Sequence, residues 1–173
     1  MALVAETLIE EWLNRNGYFT IRGAKVAGGG EIDLLGISLR EDDAIHVEAT
    51  VSADPMGYLT GGGLSKRTRE DMRAEAKKWF VRKFQGRPLE KQQRPSEDRR
   101  EELAPGRNWR FMLVYGDIKY PTEPDVIEEL GVEVKHISEI MVDLMDRKRT
   151  FVTSSEASGI VELLDIFCKE RGC

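Results

Sequence analysis

The stretch Gly28-Gly29-Gly30-Glu31-Ile32-Asp33-Leu34-Leu35-Gly36 decides how this 173-residue chain reads. A glycine-rich turn enters a strand, and one acid, Asp33, interrupts an otherwise apolar run. The next strand, Ala44 to Ser52, is again apolar with one acid inside it, Glu48. The polar Arg40-Glu41-Asp42-Asp43 between them has the length of a hairpin loop. Two strands so joined are expected to be antiparallel neighbours, which lets Asp33 and Glu48 lie side by side. Close carboxylates on a rigid sheet repel each other unless something positive sits between them. A hard divalent cation with oxygen ligands is the common answer.

An isolated acid in a strand is most often at an edge or in solvent. The neighbours argue otherwise here. Asp33 follows Ile32 and precedes Leu34-Leu35, and Glu48 stands between Val47 and Ala49. Strands buried on both faces read as near-continuous apolar runs, and an acid inside one must be paired, metal-bound or shifted in pKa.

Working outward, Val4 to Asn16 has Leu8, Ile9, Trp12 and Leu13 at helical spacing, with Gly17 as a left-handed cap. Glu6 and Glu10 share a side of that helix. Tyr18 to Arg22 reads as a first strand. After Ser52 comes a connector with a second triple glycine, Gly61 to Gly63. Ser65 is placed as the cap of a helix to about Phe84, with Met72, Ala76, Trp79, Phe80 and Phe84 apolar and Lys66, Lys77 and Lys78 on its polar side.

Three prolines and dense charge make residues 86–107 a flexible charged insertion, with room for a short helix over Ser96 to Leu103. Trp109 to Tyr115 is a buried strand. Glu123 to Leu130, closed by Gly131, is a short helix. Val132 to Ile137 is another strand. Ser138 is placed as the cap of a helix to about Arg147, and a last helix is expected over residues 155–171. The expectation is one domain over residues 1–173. It is an α/β fold whose mixed sheet starts as an antiparallel meander and continues by crossovers.

Composition narrows the class. Net charge is −5, which disfavours indiscriminate binding of nucleic acid. Yet Leu64 to Arg110 holds 15 basic and 8 acidic residues, a surplus of +7, against −12 for the remainder. Such asymmetry can mark a side facing a polyanion, or only a solvated helix. No apolar run is long enough to cross a bilayer. The acidic amino terminus does not read as a signal peptide. Cys168 and Cys173 suit neither a disulfide framework nor a zinc site, so a cytoplasmic setting is the default. His46 and His136, both in expected strands, read as packing or edge residues. A flavodoxin-like enzyme is disfavoured for want of a strand-to-helix glycine fingerprint.

Element order and acids together resemble the PD-(D/E)XK nuclease superfamily, in its Holliday-junction-resolvase-like and restriction-like branch. The matching pieces are Glu6, Gly17-Tyr18, Gly30-Glu31-Ile32-Asp33-Leu34 and Val47-Glu48-Ala49-Thr50. The resemblance implies a restriction-endonuclease-like core (αβββαβ) with an added C-terminal strand and helices. It implies Mg²⁺ or Mn²⁺ held by Asp33, Glu48 and the Ala49 carbonyl, with Glu6 beside the site. It also implies hydrolysis of phosphodiesters in nucleic acid, DNA first, and dimerisation as a family habit.

The chain departs from the pattern at one point. The family's lysine falls on Thr50, which carries no charge but shares a strand face with Glu48. Three outcomes stay open. The lysine has moved, with Lys77 the candidate and Lys66, Lys78 and Lys25 behind it. Or catalysis runs on metal and carboxylates, with Thr50 placing a water. Or the fold is inactive and serves as a module binding nucleic acid or protein.

Overall fold

The computed structural model describes residues 2–52, 57–61, 66–86 and 95–146. Helix α1 (Ala2–Arg15) leads into strands β1 (Tyr18–Val26), β2 (Gly30–Ser38) and β3 (Asp43–Thr50). Helix α2 (Arg69–Phe80) runs into a π turn (Val81–Gln85), and α3 (Pro95–Leu103) comes next. Strand β4 (Asn108–Tyr115), α4 (Glu123–Glu128), β5 (Val132–His136) and α5 (Ile137–Asp146) complete the described chain. The expected Ser65 cap and the helix over 155–171 lie outside the described residues.

The strands form one five-stranded sheet in sequence order. The pairs β1–β2 and β2–β3 are antiparallel, whereas β3–β4 and β4–β5 are parallel. Short loops allow the first three strands to meander. The parallel pairs need crossovers, which α2–α3 and α4 supply. The expected mixed sheet flanked by helices is therefore present.

Each sheet face carries its own core. Leu8, Ile9 and Leu13 of α1 pack with Leu34, Ile45, Val47, Met112 and Val114, and α5 adds Ile140 and Leu144. On the other face Met72, Ala76 and Trp79 of α2 join Phe84, Leu113, Val126 and Ile127. Each such side chain, fully buried, contributes roughly 1.5–3 kcal/mol of transfer free energy. This two-sided burial explains why β3 reads as nearly unbroken apolar sequence.

Several boundaries differ from expectation. Strand β1 continues past Arg22 to Val26, because Ala24, Lys25 and Val26 pair with Ile32, Glu31 and Gly30. Helix α2 starts at a reciprocal cap: Asp71 N–H donates to Thr68 Oγ1, and Thr68 N–H donates to Asp71 Oδ2. Ser138 lies inside α5 rather than capping it. His136 takes that role, since its Nδ1 accepts from Ser138 N–H and its own N–H donates to Glu139. The charged insertion contains α3, whose Pro95, Ser96 and Arg100 are buried.

Candidate active site

Register brings the two acids together. The paired positions of β2 and β3 run from Ile37↔Ala44 to Leu34↔Val47. One step further along, Asp33 falls opposite Glu48. There the backbone ladder gives way to a side chain, and Ala49 N–H donates to Asp33 Oδ2 at 2.8 Å. The parting strands leave both carboxyls at one end of the sheet.

Glu48 is 1 % exposed, and its charge is held from two directions. The Lys83 ammonium lies 2.5 Å from Oε2. Among the described residues Oε2 accepts no hydrogen bond of good angle, so Lys83 holds it by charge rather than by a directed bond. On the other side His46 Nε2 is 3.1 Å from Oε1. His46 is fully buried, and Arg100 Nη1 approaches its Nδ1 at 2.9 Å. A guanidinium only donates, so Nδ1 must accept and Nε2 must carry the proton toward Glu48. Burial first, then the Arg100 charge, holds the His46 pKa well below the usual value, which keeps the ring neutral. Burial also pushes Arg100 down to about 10, leaving it cationic at neutral pH.

The same Arg100 Nη1 donates to the Phe84 carbonyl at 2.6 Å. That carbonyl belongs to the π turn, beside Lys83. One buried guanidinium thus fastens both the ring behind Glu48 and the backbone that carries the lysine.

The Glu48 charge opposes ionisation of Asp33, while Asp33 favours that of Glu48. Burial and then the Glu48 charge raise the Asp33 pKa, against the Ala49 amide, Lys83 and His46. Burial raises Glu48, against Lys83 and a hydrogen bond with Asp33. Glu6, partly buried on α1, is raised by burial, then by Asp33, while Arg22 opposes and Glu48 adds. Burial works to lower the Lys83 pKa, but Glu48 and Asp33 outweigh it and the net shift is upward. The ammonium therefore persists at neutral pH. Strongly coupled groups of this kind titrate as a set.

Of the residues singled out in the sequence, Glu6, Asp33, Glu48 and Ala49 meet here. Thr50 ends β3, and its carbonyl accepts from Gly116 N–H. The positive charge at the acids is neither at position 50 nor on Lys77. Lys77 and Lys66 are exposed, Lys78 pairs with Glu75, and Lys25 pairs with Glu31. Lys83 is the residue that the sequence reading missed. It falls four positions after the buried Trp79, so on the helix expected to about Phe84 it stands on the apolar stripe, and a lysine on such a stripe is a usable signal. His46 as the partner of Glu48, and Arg100 behind it, were also missed. Strand alternation puts His46 on the Glu48 face, but Arg100 sits in the segment expected to be flexible.

No family model and no curated protein matches this chain. Among solved structures it is similar to a chain described as "Crystal Structure of Protein of Unknown Function AF1548", at 11 % identity and a TM-score of 0.47. The match covers 80 % of this chain and 59 % of that one. This chain therefore spans about three fifths of that protein's length, and a likeness this distant bears on neither function nor fold family.

Proposed function

We propose that this protein is a metal-dependent phosphodiesterase of the PD-(D/E)XK type, built on a restriction-endonuclease-like core and acting on DNA. The observation that carries the reading is the Lys83 ammonium 2.5 Å from Glu48 Oε2, beside Asp33. It supplies, from a helix end, the charge that Thr50 lacks.

The donor set fits a hard divalent cation. Asp33 and Glu48 offer only oxygen, and burial raises the pKa of both. Among the described residues no group of three or more His, Cys, Asp or Glu is placed to hold a metal. Mg²⁺ commonly takes one or two carboxylates and completes its shell with waters and phosphate oxygens. Asp33, Glu48 and the Ala49 carbonyl would hold it, with Glu6 alongside. Bound there, Mg²⁺ or Mn²⁺ supplies Lewis acidity to a phosphate and makes a water acidic enough to attack.

The chain's own residues do the rest. Asp33 is oriented by the Ala49 amide, and Glu48 by the His46 N–H. Lys83, on a flexible four-carbon stem, can swing from Glu48 to an approaching phosphate and stabilise the charge that develops on it. The expected result is cleavage of plasmid or oligonucleotide DNA with Mg²⁺ or Mn²⁺, lost in Asp33→Ala and Glu48→Ala. Robust metal-dependent nicking by both purified variants would remove the assignment.

A second reading rests on the same contact. Lys83 holds the oxygen that a cation would use, and a module that only binds nucleic acid or protein would need no more than this neutralised pair. Calorimetry with Mg²⁺ on wild type and Asp33→Asn separates the two readings. An inactive module shows no difference.

A further inference from the structure

We infer that the cleft between the β1–β2 glycine turn and the π turn is a binding groove for a nucleic-acid strand, seating a phosphate next to the one at the acids. The inference rests on the function proposed above and names where its substrate lies. The cleft encloses about 560 Å³. Gly28, Gly29 and Glu31 line one wall, and Arg82, Lys83 and Ser96 line the other. Lys83 lines the cleft and also pairs with Glu48, so the cleft borders the cation at the acids.

Three features suit a sugar-phosphate backbone. Ala27 to Gly30 are all exposed and carry nothing larger than a methyl, so a bulky strand can approach their amides. Gly28 and Gly29 have φ of 83° and 81°, a turn conformation that leaves their amides uncovered by side chains. Among the described residues a Cβ built on Gly29 would meet nothing within 4 Å, so that position is not packed against them.

The charge balance fits as well. Glu31 is already paired with Lys25 on the rim. Arg82 is exposed and, among the described residues, gives only Thr60 O a 3.3 Å contact, which leaves most of its five donors for a phosphate. The neighbouring carboxylates repel a polyanion until a divalent cation screens them, so binding in the groove is expected to require one.

The test is fluorescence anisotropy of labelled single-stranded and duplex DNA oligonucleotides with the full chain, in Ca²⁺ and across a salt series. Wild type binds in Ca²⁺ and not in EDTA. Arg82→Glu and Gly29→Asp each weaken binding by roughly ten-fold or more, and Arg82→Glu lowers the salt slope by about one. Arg82→Lys restores most of the loss. Millimolar inorganic phosphate fails to compete with an extended strand. Free competition by inorganic phosphate would reduce the groove to a small-anion site and overturn the inference. Wild-type affinity and slope in both weakening variants, each confirmed folded by circular dichroism, would also overturn it. That failure leaves cleavage by wild type intact. Absent cleavage with Arg82-dependent binding retained instead sinks the nuclease reading and keeps the groove.

Discussion

Two glutamates in this protein are equally hidden and differently used. Glu123 is fully buried at the start of α4. Its carboxylate accepts from Leu59 N–H at 2.6 Å, Thr60 N–H at 3.0 Å and Thr60 Oγ1 at 2.6 Å. Three neutral donors from one loop satisfy both oxygens. Arg67 closes the same knot from outside, over the Tyr58 ring and onto Thr60 Oγ1 and Gly61 O. Among the described residues Glu48 has instead one neutral donor, one ammonium and a neighbouring carboxylate whose own ionisation it opposes. Both acids are buried, but only one is left with charge to share. Burial of an acid therefore does not identify a site, whereas the kind of partner it has does.

The sharpest way to break the contrast is at Lys83. Lys83→Ala is expected to lower cleavage by about 10³-fold with the fold intact, since such groups contribute several kcal/mol to the transition state alone. Lys77→Ala is expected to change cleavage by less than about two-fold, because exposed lysines contribute little. Equal effects in a plasmid-nicking assay would undo the assignment of Lys83.

Next comes Glu123→Ala. It strands three donors, and urea unfolding is expected to show a loss of about 3 kcal/mol. Cleavage per folded molecule should stay within about two-fold of wild type. A selective loss of activity would mean that the knot belongs to the site.

Arg100→Leu falls between the two classes. It leaves His46 Nδ1 and the Phe84 carbonyl without their donor. The expected outcome is a 10- to 100-fold loss in Mg²⁺ affinity by calorimetry, the usual scale for residues that orient ligands, roughly 1.4–2.8 kcal/mol. The ¹⁵N shifts of the His46 ring should at the same time lose the fixed Nε2–H tautomer. An unchanged tautomer would refute the chain from Arg100 to Glu48.

The smallest effect is on stability. The folded pKa of Asp33 is raised, so folding favours its protonated form. That contribution is complete below the unfolded carboxylate pKa and is lost as pH rises through the folded value. Asp33→Asn should therefore stabilise the protein at pH 7 by on the order of 1 kcal/mol, as relief at a functional site does. Most of that gain should vanish near pH 4. Melting curves at the two pH values decide it, and a gain that is larger in acid would reverse the sign.

Much of this was legible in residues. The runs around Asp33 and Glu48 announced buried strands, and the four-residue loop fixed their antiparallel pairing, so the meeting of the acids came from register. Leu8, Ile9 and Leu13 announced the helix that covers one face. The lysine was hidden by a choice of face. Lys77 and Lys78 lie where a solvated helix puts its charges, and Lys83 lies on the stripe that ordinarily excludes them. Arg100 was hidden by composition. Pro95 and the charges of residues 97–102 read as solvent-loving, yet α3 tucks one guanidinium under the Phe84 carbonyl. A local pattern cannot report a long-range contact of that kind, because the donor and its two acceptors lie 16 and 54 positions apart.

The π turn has one more consequence. An α-helix advances about 100° per residue, so removing one residue just ahead of Lys83 would rotate it and the chain after it by roughly that angle. A change of length there, with no substitution anywhere, would uncouple the lysine from its acid. A cation mounted on a strand is fixed once the sheet forms. One mounted at a widened helix end can be set, withdrawn or re-aimed by the winding of a single turn.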